Sequence, residues 1–93
     1  MKEYIQQHQQ RFLNELFDFL RIPSVSANPA HQADMLTAAE FVQQRLLEAG
    51  MDKVEICPTA GHPIVFAEKI VDAVLPTILV YGHYDVQPAD PLE

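Results

Sequence analysis

A chain of 93 residues forms one small domain at most. Its composition, with 48% hydrophobic and 20% charged residues, is typical of a folded globular protein and argues against disorder. Six basic and 13 acidic residues give a net charge of −7, which argues against binding to nucleic acid or to an anionic membrane surface. A single cysteine, Cys57, excludes an intrachain disulfide and a cysteine cluster for zinc. The lone cysteine favours a reducing, cytoplasmic compartment. The polar N-terminus and the lack of a long apolar run predict a soluble protein.

Two amphipathic helices are predicted in the first half of the chain. From Tyr4 to Leu20 apolar residues recur at helical spacing, and we expect their stripe to form core; it consists of Phe12, Leu13, Leu16, Phe17 and Leu20. Pro23 ends this helix, because the residue before a proline avoids the α conformation. The second helix is predicted over residues 32–49, with Gly50 suited to the left-handed position that follows the last turn.

Three strands are predicted in the second half. Residues 53–57 alternate between polar and apolar, and residues 64–71 follow after a turn, so we expect these two strands to pair as a hairpin. Residues 77–81 are apolar at every position after Thr77, which is the pattern of a strand covered on both faces. The expected fold class is therefore α/β: two N-terminal helices packed on a mixed sheet, in which the hairpin is joined by a buried strand of the central type.

The segment that follows the predicted buried strand carries the candidate chemistry. In open α/β sheets ligands gather beyond the carboxyl ends of the strands, and residues 82–88 read Gly-His-Tyr-Asp-Val-Gln-Pro at that point. In an extended chain His83 and Asp85 project to the same side. A neutral imidazole can bind a metal through one nitrogen while a neighbouring carboxylate orients the ring. His-x-Asp alone is a weak signal, since a histidine at a strand end is more often structural.

The chain resembles the zinc-dependent aminoacylase, carboxypeptidase and dipeptidase family, and within it the carnosinase-like dipeptidase branch. The resemblance runs nearly from end to end and is most specific at residues 78–88. The other segments that carry it are residues 19–26, 38–50, 61–68 and 89–93. It implies a larger three-layer metallopeptidase catalytic domain, of which residues 1–93 would be the N-terminal part.

This resemblance implies a reaction and two roles. The family hydrolyses an amide bond near a free carboxylate, with a small peptide as substrate, a metal-activated water as nucleophile and a glutamate as general base. It implies that His83 binds one of two zinc ions and that Asp85 is the catalytic carboxylate that orients His83. One imidazole also suits manganese or cobalt, so the residues leave the metal open.

The length of the chain departs from the family pattern. In the family the bridging aspartate, the general base, the other ligands and the lid domain lie further along than Glu93. A catalytic zinc takes about three protein ligands, so we expect at most weak zinc binding and no turnover by this chain alone. Asp90 and Glu93 follow a proline-interrupted stretch and are expected to be solvated loop residues.

Two classes of function stay open on the sequence. One is a piece of a metal-dependent dipeptidase, and the other is a free-standing, non-catalytic α/β interaction module. A free-standing module would be expected to blunt its sheet edge and cover its exposed face, so the sequence favours the first class. With its sheet neighbours absent, the chain is expected to self-associate or to swap elements through an exposed sheet edge.

The remaining histidines and the cysteine are expected to be structural or exposed. We expect His8 to face solvent, His31 to precede the second helix without a site role, and His62 to be a loop residue. Cys57, at a strand end, is expected to be a buried or half-buried apolar residue, because no cationic neighbour is evident that would lower its pKa.

Overall fold

Three α-helices and one antiparallel hairpin make up the computed structural model, which describes residues 1–88. The elements are α1 (Lys2–Gln7), α2 (Gln9–Leu20), a short 3-10 helix (Pro29–His31), α3 (Gln32–Glu48), β1 (Lys53–Cys57) and β2 (Ile64–Glu68). The predicted α/β class is confirmed at this level.

The first predicted helix is divided in two at His8. This residue leaves the helical region, with φ −111° and ψ 14°. The hydrogen bonds nevertheless continue across it, since the His8 amide donates to the Tyr4 carbonyl and the Phe12 amide donates to the His8 carbonyl. The rings of Tyr4 and Phe12 flank the imidazole, with centroids 4.6 and 6.1 Å from it. His8 is therefore half-buried, and the expectation that it faces solvent was wrong.

Helix α3 lies where the sequence predicts it. Asn28 caps the preceding 3-10 helix by accepting a hydrogen bond from the Ala30 amide at 3.0 Å. At the other end Gly50 has φ 96°, in the left-handed region that glycine adopts without strain. The Gly50 and Met51 amides donate to carbonyls of the last turn, which closes the helix as a Schellman motif.

The hairpin is confirmed, although its second strand is shorter than predicted. β1 and β2 are antiparallel, with Cys57 opposite Ile64 next to the turn and Lys53 opposite Glu68 at the far end. We expected β2 to continue to residue 71. Instead the Asp52 carboxylate accepts a hydrogen bond from the Ile70 amide at 3.2 Å, so that the backbone beyond Glu68 is satisfied by a side chain.

The core lies where α3 packs against the hairpin. Met35, Ala38 and Ala39 are the apolar residues of α3 that are buried. The apolar stripe of α2 was expected to be core, and for most of it this was wrong. Four of its members keep 37–55% of their surface exposed: Leu13, Leu16, Phe17 and Leu20. Helix α2 meets α3 through aromatic stacking of Phe19 on Phe41, with centroids 5.5 Å apart.

The predicted buried strand at residues 77–81 is absent from the described part of the chain. Ile78, Leu79, Val80 and Tyr81 are 85–92% exposed, and no strand is formed there. The prediction of a mixed sheet fails for the same reason, because β1 and β2 pair only with each other within residues 1–88. A strand apolar on both faces requires partners on both sides. Within this range no helix has the length and apolarity to cross a membrane.

Candidate functional site

The His83 and Asp85 side chains meet, as the two-residue period of an extended chain predicts. The distance between His83 Nδ1 and Asp85 Oδ1 is 2.8 Å. An ionised carboxylate can only accept hydrogen bonds, so Nδ1 carries the proton and donates it. In the neutral ring Nε2 then has a free lone pair, and 76% of the His83 side chain is exposed. The pair thus presents one imidazole nitrogen to an incoming ligand.

The second oxygen of the Asp85 carboxylate is held by Ser26. The Ser26 hydroxyl donates to Asp85 Oδ2 at 2.5 Å. This hydrogen bond, followed by the one from His83, lowers the pKa of Asp85 below its ordinary value. Asp85 is therefore fully ionised at neutral pH and can act as a fixed acceptor for the imidazole.

The loop after α2 binds the backbone of the His83 segment. Val25 forms an isolated parallel bridge with Val86, in which the Val86 amide donates to the Ser24 carbonyl at 2.9 Å. The Ser24 hydroxyl donates to the Tyr84 carbonyl at 3.0 Å. Ser24 is only 1% exposed, so this hydrogen bond satisfies a buried polar group. Residues 84–86 are thereby placed against the start of the chain, about 60 residues away in sequence.

The turn before β2 supports the same segment. The Tyr84 hydroxyl donates to the Pro63 carbonyl at 2.5 Å. Burial, with a smaller contribution from the charge of Asp85, raises the pKa of Tyr84 above its ordinary value. The phenol therefore keeps its proton and remains a donor at neutral pH. His62 lies in this turn, as expected, and its Nε2 donates to the Ser26 carbonyl at 2.9 Å.

Sequence reasoning did not find the roles of Ser24, Ser26 and Tyr84, and it treated His62 as a loop residue. The contacts of the two serines with the site segment span 59 and 60 residues. A single sequence carries no signal for such pairs. A faint local signal was present, since Ser24 and Ser26 flank Val25 in a stretch that Pro23 keeps out of the helical conformation.

The other candidates lie apart from this site in their contacts. His31 Nδ1 is 2.8 Å from Asp34 Oδ2, at the start of α3. Cys57 is half-buried and forms no disulfide, in agreement with the expected half-buried position. Asp90 and Glu93 lie outside the described residues.

The donor set fits one corner of a metal site. A zinc-binding imidazole commonly donates its other ring N–H to a carboxylate. The His83–Asp85 pair has this arrangement. Within residues 1–88, no group of three or more His, Cys, Asp or Glu side chains could hold a metal ion. A catalytic zinc would thus need about two further protein ligands from elsewhere.

Comparison with known proteins shows what the chain is similar to. Over most of its own length it is similar to proteins named as dipeptidases, among them a Cys-Gly metallodipeptidase, a cysteinylglycine-S-conjugate dipeptidase and a Beta-Ala-His dipeptidase. The resemblance seen in the sequence is thereby confirmed. No family model matches the chain.

Three curated relatives illustrate the similarity. The chain is 29% identical over 91 residues to the Cys-Gly metallodipeptidase DUG1 of Saccharomyces cerevisiae, covering 85% of this chain and 19% of the relative. It is 37% identical over 97 residues to the cysteinylglycine-S-conjugate dipeptidase of Corynebacterium striatum, with coverages of 92% and 21%. It is 32% identical over 102 residues to the Beta-Ala-His dipeptidase of Homo sapiens, with coverages of 95% and 20%.

A solved structure agrees with these relatives. The di-peptidase Dug1p from Saccharomyces cerevisiae superposes with a TM-score of 0.85 and 26% sequence identity, covering 94% of this chain and 20% of that one. The helices and the hairpin therefore match part of a known dipeptidase fold. The chain spans about one fifth of the length of the curated relatives it matches.

Proposed function

We propose that this chain is part of the catalytic domain of a metal-dependent dipeptidase, acting on an amide bond near a free carboxylate. The observation that carries the proposal is the His83–Asp85 pair, set in a chain whose homologues are metallodipeptidases. The geometry supports two proposed roles. His83 would bind a metal through Nε2, and Asp85 would hold the ring in the tautomer that leaves Nε2 free.

Zinc is the metal we propose, as a pair of ions in the complete site. The chemistry that such a pair supplies when bound is the activation of a water molecule for attack on the amide carbon. The residues described here contribute the orientation of one ligand, and they offer no general base at that ligand besides the engaged Asp85. We therefore propose that the 93-residue chain alone is inactive. For the whole protein we propose a cytoplasmic location, in line with the single cysteine.

The substrate class we propose is a dipeptide. The relatives are named for different dipeptides, Cys-Gly and β-Ala-His, and for a cysteinylglycine S-conjugate. These names share a short peptide and differ in its side chains. We therefore propose a dipeptide as the substrate of this chain and do not propose particular side chains for it.

A zinc titration by calorimetry tests the proposal, and the chain offers a matched control. His31 and His83 each have Nδ1 2.8 Å from a carboxylate oxygen, yet only His83 lies in the segment that resembles the metallopeptidases most specifically. We expect weak zinc binding by the wild-type chain, loss of most of it in His83→Ala, and little change in His31→Ala. Equal losses of zinc binding in His83→Ala and His31→Ala would contradict the proposed role of His83 as the metal ligand. Tight stoichiometric zinc with dipeptidase activity would contradict the proposed inactivity of the chain.

A non-catalytic interaction module is the second candidate function, and one observation favours it. Ile78, Leu79, Val80 and Tyr81 form a contiguous, exposed apolar segment, which on a soluble protein marks a surface that another polypeptide covers. For the chain alone we propose that a second copy covers it. The zinc titration decides between the two functions.

A further inference from the structure

The Asp85 carboxylate can orient His83 only if the carboxylate itself is fixed. The torsion that turns a carboxylate about its Cβ–Cγ bond is broad, so one hydrogen bond to an imidazole leaves it free to swing. Here Oδ1 lies 2.8 Å from His83 Nδ1, while Oδ2 accepts the Ser26 hydroxyl at 2.5 Å. A hydroxyl–carboxylate hydrogen bond of that length is charge-assisted and among the stronger kinds. Each oxygen of the Asp85 carboxylate therefore has a hydrogen-bond partner, and the plane of the carboxylate is fixed.

Ser26 is itself held from outside its own loop. Its carbonyl accepts the hydrogen bond from His62 Nε2 at 2.9 Å, and the neighbouring Val25 is bridged to Val86. The hydroxyl thus projects from a backbone fixed on two sides. Because His62 contacts the backbone of Ser26, a change of the side chain at position 26 leaves that support in place.

We propose that Ser26 is a positioning residue: its hydroxyl fixes the Asp85 carboxylate so that His83 keeps its proton on Nδ1 and presents Nε2. Its consequence for metal binding rests on the proposed function, whereas its effect on the tautomer does not. A purely structural role, in which Ser26 only fastens the loop to residues 84–86, predicts a change in stability with no change at the imidazole.

The test compares two variants of equal shape in the 93-residue chain. Ser26→Thr keeps a hydroxyl, while Ser26→Val replaces that hydroxyl by a methyl group. Nitrogen-15 NMR of the His83 ring, recorded without metal, reports which nitrogen carries the proton. We expect the Nδ1–H tautomer alone in the wild type and in Ser26→Thr, and a mixture of both tautomers in Ser26→Val.

A second readout adds zinc to the same samples and follows the His83 resonances. Loss of a group that orients a metal-binding histidine costs about 10- to 100-fold in affinity. For Ser26, which acts through Asp85, we expect the lower end: half-saturation at about tenfold more zinc in Ser26→Val than in Ser26→Thr. Urea unfolding of both variants measures the structural contribution separately.

Several outcomes would overturn the inference. The first is a wild-type His83 that carries its proton on Nε2, a result that the wild-type spectrum alone would give. The second is the same tautomer population in Ser26→Thr and Ser26→Val. If Ser26→Val does not fold, Ser26→Ala removes the hydroxyl without adding a branch and takes its place. If the tautomer depends on the hydroxyl but zinc does not bind His83, the positioning role stands and the proposed metal site fails.

Discussion

At the scale of single residues, the site depends on hydroxyl groups as much as on the histidine and the carboxylate. Ser24, Ser26 and Tyr84 each donate one hydrogen bond between segments that are far apart in the sequence. These hydrogen bonds decide where the backbone of residues 84–86 lies, and the His83–Asp85 pair is positioned as a result.

The Tyr84 hydroxyl provides a test of this support. Tyr84→Phe removes the donor to the Pro63 carbonyl and leaves a half-buried acceptor without it. We expect the free energy of unfolding to fall by about 1 kcal/mol, the usual net value of such a hydrogen bond. Urea denaturation measures it as a lower midpoint with an unchanged slope.

Tyr81 supplies the matched control, because it has the same side chain three residues earlier and is 88% exposed. We expect Tyr81→Phe to stay within about 0.5 kcal/mol of the wild type, as most surface substitutions do. Equal effects of the two variants would show that the Tyr84 hydroxyl does not support the site.

Residue-level prediction from the sequence succeeded where the interaction is local. His83 and Asp85 are two residues apart, so the extended period alone brings their side chains together. The partner of Asp85 on its other oxygen, Ser26, is 59 residues away, and His62 is 36 residues from the carbonyl it binds. Pairs at such separations are set by the tertiary fold, which a single sequence does not encode in any local pattern.

At the scale of elements, the same distinction holds. The end of α3 was predictable because Gly50 is a local signal and its φ of 96° is what a left-handed cap requires. The end of β2 was not, because it depends on the Asp52 carboxylate 18 residues from the Ile70 amide. The strand expected at residues 77–81 has the composition of a buried strand, but composition does not supply the partners that a strand needs.

The exposed segment at residues 77–81 predicts self-association of the isolated chain. Its apolar side chains, Ile78, Leu79, Val80 and Tyr81, are 85–92% exposed, and pairing with a second copy would cover them. We expect size-exclusion chromatography at micromolar concentration to show a dimer or larger species. Val80→Asp, which places a charge in the segment, should shift the population toward the monomer.

Val71 provides the control for that substitution, because it is also a highly exposed valine, at 81% against 85% for Val80, but lies outside the segment. We expect Val71→Asp to leave the elution profile unchanged. A wild-type chain that elutes as a clean, stable monomer would contradict the proposed self-association.

At the scale of the whole molecule, the described residues form a support for the His83–Asp85 pair, which we propose to supply one metal ligand. The loop after α2, the turn before β2 and residues 82–88 converge through hydrogen bonds between residues far apart in sequence. α3 and the hairpin form the small core beside them. Under the proposed function this arrangement would supply one ligand, where a catalytic zinc takes about three.

We propose that His83 binds metal through Nε2 while Asp85 holds the ring through Nδ1. Crystals of the chain grown with zinc, measured at the zinc absorption edge, test it most directly by anomalous scattering. We expect a zinc peak about 2.0–2.1 Å from His83 Nε2, with the Asp85 carboxylate still bonded to Nδ1. Zinc at His31 or at His83 Nδ1, with His83 Nε2 left free of metal, would contradict it.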